Sequence, residues 1–163
     1  MRPIARILYA LAGKPDTPIM VASTGGYGFL CRLSDMITNR KAGRDFMTLE
    51  AGESPVSPVV YEEASAKFVA AVSAGGRLLI FDIGEMRAVA RGRGVIVMGL
   101  DEGESLVAAT LISGKSVKVA GAGRGGKAKV TDISGEKFEH YFGRRARMGR
   151  VLPDKLVPSG FAN

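Results

Sequence analysis

The chain has one cysteine, one histidine and no tryptophan in 163 residues, and each shortage removes a class of function. A single cysteine, Cys31, excludes a disulfide framework and a cysteine-rich zinc site. It lies in the apolar run Phe29-Leu30-Cys31 and is expected to be a buried, reduced thiol. The histidine, His140, sits in EKFEHYFGRR as an exposed polar residue, and no G-x-S-x-G elbow supplies a nucleophile to partner it. Without tryptophan the stacking platforms used by single-stranded nucleic acid are scarce, with Tyr141 and Phe142 beside Arg144 as the credible exceptions. No apolar stretch approaches the ~18 residues of a membrane span. The early run Ile7 to Ala12 is also too short for the apolar region of a signal peptide.

What the chain does have is positive charge in one place. Residues 115–155 carry eleven Lys/Arg against four acids, which accounts for the whole net charge of +7. In residues 1–114, twelve basic and twelve acidic side chains cancel. Charge confined in this way is the footprint of a polyanion partner, most often a nucleic-acid backbone. Its bland counterpart is a solvated basic face.

The chain also partly copies itself. MVASTGGYGFLCRLSDM around Gly26 and FVAAVSAGGRLLIFDIGEM around Gly76 share one grammar, 50 residues apart: apolar run, small-residue turn, apolar run, acid, methionine. Each continues with a basic, glycine-containing turn, NRKAGR at 39–44 and ARGRG at 90–94. A third run follows (46–49, 95–100) and a fourth closes the unit (58–61, 106–112). A diverged third copy begins SVKVAGAGRGGKAKV at Ser116, and its basic turn has grown to GRRARMGR at 143–150. The runs are short, rich in Val, Ile, Leu and Phe, and bounded by Gly, Ser and Asp, so they read as strands. Four short strands per unit of about fifty residues match a propeller-like blade. The expected architecture is all-β, in repeats at 17–63, 66–112 and 116–152. Residues 3–10 would be the last strand of a preceding repeat, so the whole 1–163 reads as one incomplete array of about three blades, a fragment of a longer chain.

Two glycine motifs imitate nucleotide sites. GAGRGG at 121–126 fits G-x-G-x-x-G, but KAKVTDI after it alternates like a strand, where the dinucleotide fingerprint needs a helix. A hairpin turn is expected instead, and if Gly123→Ala disturbs folding, a strained turn is the expected cause. Gly114-Lys115-Ser116 resembles the end of a P-loop, yet Ala109 stands where the first phosphate-cradling glycine belongs. No cofactor site and no catalytic residue emerge. The basic turns are the candidate chemistry: Arg40, Lys41 and Arg44; Arg91 and Arg93; Lys127 and Lys129; Arg144, Arg145, Arg147 and Arg150. Cations at turn tips can reach phosphates. Arg144, Arg145 and Arg147 are expected to outweigh Arg40, Lys41 and Arg44, because Asp35, Asp45 and Glu50 crowd the first triplet while Glu139 is the nearest acid in sequence to the second.

GGYGFLCRLSDM, NRKAGR, AGGRLLIFDIGEM and a GRG turn before an apolar strand, in that order, resemble the C-terminal domain of the A subunit of bacterial DNA topoisomerase IV, a gyrase A-like type IIA topoisomerase. The resemblance covers roughly residues 4–152 and is strongest over 18–100. It implies a β-pinwheel whose rim binds and bends duplex DNA. Such a domain is non-catalytic and assists ATP-dependent decatenation and supercoil relaxation by the whole enzyme. It also implies ATP and Mg2+ bound elsewhere, a homodimer of the A subunit, and a B subunit met through the N-terminal part. A cytoplasmic, nucleoid-associated role in chromosome segregation follows from the same resemblance. The gyrase counterpart wraps DNA with a glutamine-led, Arg- and Gly-rich box; this chain contains no glutamine, and RGRG at 91–94 is the nearest remnant. A propeller-like protein-interaction module is the remaining alternative.

Overall fold

Short β-branched and aromatic runs separated by glycine turns fold here into antiparallel hairpins. The computed structural model describes residues 13–36 and 46–162. The strand expected at 3–10 and the turn bearing Arg40, Lys41 and Arg44 lie outside the described residues. Among the described residues three hairpins repeat: β1 (Pro18–Ala22) with β2 (Tyr27–Arg32), β4 (Phe68–Ser73) with β5 (Arg77–Asp82), and β8 (Ser116–Ala122) with β9 (Ala128–Ser134). Their registers correspond, Ala22 opposing Gly28, Val72 opposing Leu78 and Ala122 opposing Ala128.

The remaining strands complete three sheets. β3 (Val59–Val60), β7 (Leu106–Ile112) and β11 (Val157–Ala162) flank β1, β4 and β8 of their own units. β6 (Val95–Ile96) and β10 (Arg150–Val151) do not stay in theirs. β6 pairs with β2 of the preceding unit, and β10 with β5 of the preceding unit. The sheets therefore run β3-β1-β2-β6, β10-β5-β4-β7 and β11-β8-β9 (blades 1, 2 and 3). Each donated strand follows a glycine with positive φ, Gly94 at +83° and Gly149 at +77°. A Cβ there would run into the carbonyl of Gly28 or Leu78, so the crossing tolerates only glycine.

Blade 2 is sandwiched, and its sequence shows why its runs are apolar on both faces. Val69, Ala71, Leu79 and Phe81 enter a core with Met20, Ala22, Val97 and Met98 of the first junction. Ala70, Val72, Leu78 and Ile80 enter a second core with Val117, Val119, Ile133 and Phe138. Strand β9 lies at an edge among the described residues and alternates instead: Thr131 and Ile133 are buried, while Lys129 and Asp132 are exposed and Val130 is 54% exposed.

The third unit departs from the expected strands at two places: its closing strand, β11, lies at 157–162, beyond the expected end at 152, and a helix interrupts the strand sequence. Residues 136–141 form a short helix, α1 (Glu136–Tyr141), whose Phe138 and Tyr141 bury on the second core. Tyr141 is thereby removed from the surface, and its hydroxyl donates to the Val151 carbonyl at 2.9 Å. Phe142 is partly exposed but packs edge-on to Phe68. Neither is a free stacking platform. GAGRGG is the loop of the β8–β9 hairpin, closed by Gly123 N–H to Lys127 O at 2.8 Å. Its left-handed residues are Gly125 and Gly126, not Gly123, whose φ is −88°.

Candidate nucleic-acid interface

Strand exchange decides where the basic turns go. The chain enters the turns at 90–94 and 143–149 by a parallel bridge to the preceding blade, Leu30 to Ala88 and Ile80 to Phe142. It leaves each through the donated strand. These two turns therefore lie beside β2 and β5 of the blade before their own.

The two described turns use their cations differently. In the first, Arg93 Nη2 donates to Glu53 Oε1 at 2.8 Å, Nη1 lies 3.7 Å from Glu50, and the guanidinium stacks 3.6 Å above the Tyr27 ring. Glu53 is only 11% exposed, against Arg93 at 32%. Burial resists ionisation of Glu53, but the hydrogen bond and charge of Arg93 outweigh it and hold the carboxyl below the usual range. Arg93 is a clamp between the two units. Arg91, two residues before it, is exposed.

In the second turn the backbone does the anchoring. Gly143 N–H bonds to Ile80 O at 2.8 Å, Ala146 N–H to Val97 O at 3.2 Å, and Gly99 N–H to Arg147 O at 2.9 Å. Arg145 Nη1 adds a bond to Ile96 O at 2.8 Å. Ala146 sits at φ +72°, so the turn holds a left-handed non-glycine residue. This anchoring leaves side chains for the surface. Arg147 and Arg150 are exposed with no acidic partner among the described residues. Arg144 is 79% exposed and is held by Glu85, whose Oε1 accepts from Arg144 Nε at 3.0 Å and from the Arg145 backbone N–H at 3.2 Å. Glu85, Arg144, Arg145, Ala146 and Arg147 line a concavity of about 540 Å3.

On blade 3, Lys127 is exposed and Lys129 is paired with Asp154 at 2.7 Å. The hydrogen bond and charge of Lys129, with Arg124 and Lys137 nearby, hold Asp154 below the usual carboxylate range. Glu139, the acid closest in sequence to the last basic turn, instead pairs with Lys115 at 3.2 Å. The acids that matter come from far along the chain, Glu85 at 59 residues from Arg144 and Glu53 at 40 from Arg93. Only the repeat hints at them: Asp35 and Glu85 occupy one position of the unit, and Glu53, Glu104 and Asp154 another.

Between blades 1 and 2, Leu30, Cys31, Tyr61 and Ala88 line a cavity of about 560 Å3. Burial, helped by the Asp35 charge, pushes the Cys31 thiol up to about 11, so it is protonated and unreactive at neutral pH. Among the described residues no three His, Cys, Asp or Glu cluster to hold a metal, and no helix is long and apolar enough to cross a membrane.

The sequence profile described as DNA gyrase C-terminal domain, beta-propeller, matches residues 17–57 and 67–113, more than half of the chain. The chain belongs to that family. It is 34% identical over 154 residues to the A subunit of DNA topoisomerase 4 of Neisseria gonorrhoeae, covering 91% of this chain and 20% of that protein. To the subunit of the same name in Pseudomonas aeruginosa it is 30% identical over 141 residues, covering 85% and 19%. The chain thus spans about a fifth of these relatives. Among solved structures it superposes on the E. coli ParC C-terminal domain with a TM-score of 0.79 at 23% identity, over 91% of this chain and 60% of that one. The DNA gyrase A C-terminal domain gives 0.67 at 18% identity, over 89% and 47%. The family fold is the β-pinwheel expected from the repeats, and the exchanged strands β6 and β10 are how this chain builds it.

Proposed function

We propose that this chain is a duplex-DNA-binding and bending domain from the A subunit of a topoisomerase IV, itself without catalytic activity. The carrying observation is the anchored turn 143–149, which presents Arg144, Arg147 and, through β10, Arg150 beside β5 of blade 2. Backbone anchoring means that the turn itself need not be ordered by the ligand. Arginine at such positions can take phosphate oxygens bidentately. Lys127 and the neighbouring Arg124 continue the positive surface on blade 3. A duplex following both blades would have to curve, and the additional phosphate contacts along the curve offset its elastic cost. Phosphate contacts carry no base code, so binding is expected to be largely independent of sequence. Arg144, Arg145 and Arg147 contribute more than Arg40, Lys41 and Arg44. By kinship the whole enzyme has two copies of the A subunit and meets the B subunit through the N-terminal part. It would use ATP and Mg2+ bound outside this chain, and act on the chromosome in the bacterial cytoplasm.

Titration of the chain onto a linear duplex at several salt concentrations tests this. Each phosphate neutralised adds about 0.9 to the magnitude of the slope of log K against log salt. Affinity that does not change with salt would overturn the proposal in favour of a protein-interaction module.

A further inference from the structure

We propose that Glu85, an acid in the middle of the basic site, is a positioning residue for DNA phosphate, although its charge opposes the ligand. The inference rests on the DNA-binding reading above and assigns a role within that site.

Two geometric facts separate positioning from simple opposition. First, Glu85 grips Arg144 through Nε, the inner nitrogen of the guanidinium, at 3.0 Å. The two terminal nitrogens, which form the fork that receives a phosphate, are not used in that bond, and the side chain is 79% exposed. Second, the same Glu85 oxygen accepts the Arg145 backbone N–H at 3.2 Å. One carboxylate thus fixes both the turn and the long side chain that leaves it. An arginine tethered in this way presents its fork without having to lose rotamer freedom when the phosphate arrives.

The sequence explains why Glu85 is available. It ends the 3-10 turn Ile83–Glu85, which Asp82 already caps by accepting the Gly84 N–H at 2.7 Å. At the corresponding places of the first unit stand Arg32 and Asp35, and there Asp35 accepts the Arg32 N–H at 2.9 Å. With capping transferred to Asp82, and with one more methylene than aspartate, the acid of the second unit reaches across to the next unit's turn. The concavity of about 540 Å3 lined by Glu85, Arg144, Arg145, Ala146 and Arg147 is where the phosphate would sit.

The test compares Glu85→Ala with Glu85→Gln. Both variants remove the same negative charge, so the long-range field changes equally. Only glutamine keeps an oxygen that can accept from Arg144 Nε–H. Affinity for a short linear duplex is measured across a salt series, with thermal melting of each variant alongside. Glu85→Ala is expected to bind about threefold or more weakly and to lose about 1 from the salt slope, while Glu85→Gln binds at least as tightly as the parent. In an Arg144→Ala background, Glu85→Ala should cause no further loss. If Glu85→Ala and Glu85→Gln both bind more tightly, or neither changes binding, Glu85 only opposes the field and the proposal fails. A parent chain with no salt-dependent binding would instead overturn the DNA reading itself, and this role with it. If Glu85→Ala melts early, Arg144→Ala alone decides: a full-affinity Arg144→Ala chain leaves Glu85 nothing to position.

Discussion

The junction of blades 1 and 2 and that of blades 2 and 3 are built to one plan and use their arginines differently. At both, a two-residue strand is donated backwards past a left-handed glycine, and a basic turn precedes it. At the first, Arg93 is drawn inward onto Glu53 and Tyr27. At the second, Met148 precedes the glycine, Arg77 stands where Tyr27 does in the first unit, and Arg144 and Arg147 of the turn are exposed. The acid corresponding to Glu53 is Glu104, which has no ion-pair partner among the described residues. Thus one loop position draws an arginine inward where an aromatic ring lies beneath it, and leaves its arginines exposed where Met148 and Arg77 stand in place of Arg93 and Tyr27.

The shared plan can be broken most severely at its glycines. Gly94→Ala and Gly149→Ala each force a Cβ into a backbone carbonyl at positive φ, and each is expected to cost about 2 kcal/mol or more. Gly52→Ala, at φ +83° with open space around it, is the control and should cost about 1 kcal/mol. Chemical denaturation of the three variants measures the contrast; equal losses would show that steric closure at the crossing is unimportant.

The difference between the junctions is sharpened by acid. Glu53 has its carboxyl held below the usual range, so its pair with Arg93 contributes stability that is complete above the ordinary carboxylate pKa of about 4.3 and is lost as pH falls through the lower folded value. Arg93→Ala should lower Tm at neutral pH and flatten its decline between about pH 5 and pH 3. Arg147→Ala should leave the melting profile unchanged. Identical acid profiles for parent and Arg93→Ala would remove the clamp from the account.

The smallest effect concerns Cys31. With its thiol pushed up to about 11, it should resist alkylation at pH 8 in the native chain and react readily once denatured. Rapid native modification would mean that the cavity between blades 1 and 2 opens easily.

Much of this was legible in the sequence, and the rest was hidden for physical reasons. The hairpins were legible because runs such as FVAAVS and RLLIFD are too apolar and too short for anything but a strand buried on both faces. Strand exchange was not, because Val95-Ile96 reads the same whichever sheet it joins, and only the hydrogen-bond partner distinguishes the two. Helix α1 escaped notice because its six residues bury only two side chains, too few to establish a helical period. The basic turns stood out by composition, but the partners of Arg93 and Arg144 are acids 40 and 59 residues away. Local charge therefore picked out the turn and misjudged its neighbours, naming Glu139 where Glu85 is the acid in contact.

The central claim is that cations of the last basic turn meet phosphate while Arg93 serves the fold. It is tested most directly by the salt dependence of duplex binding for the parent, Arg93→Ala and Arg147→Ala/Arg150→Ala chains. The double variant should lose about 2 from the slope and bind more weakly at every salt concentration, whereas Arg93→Ala should keep the parental slope at a temperature where it is folded. A slope reduced by Arg93→Ala and untouched by the double variant would contradict the account.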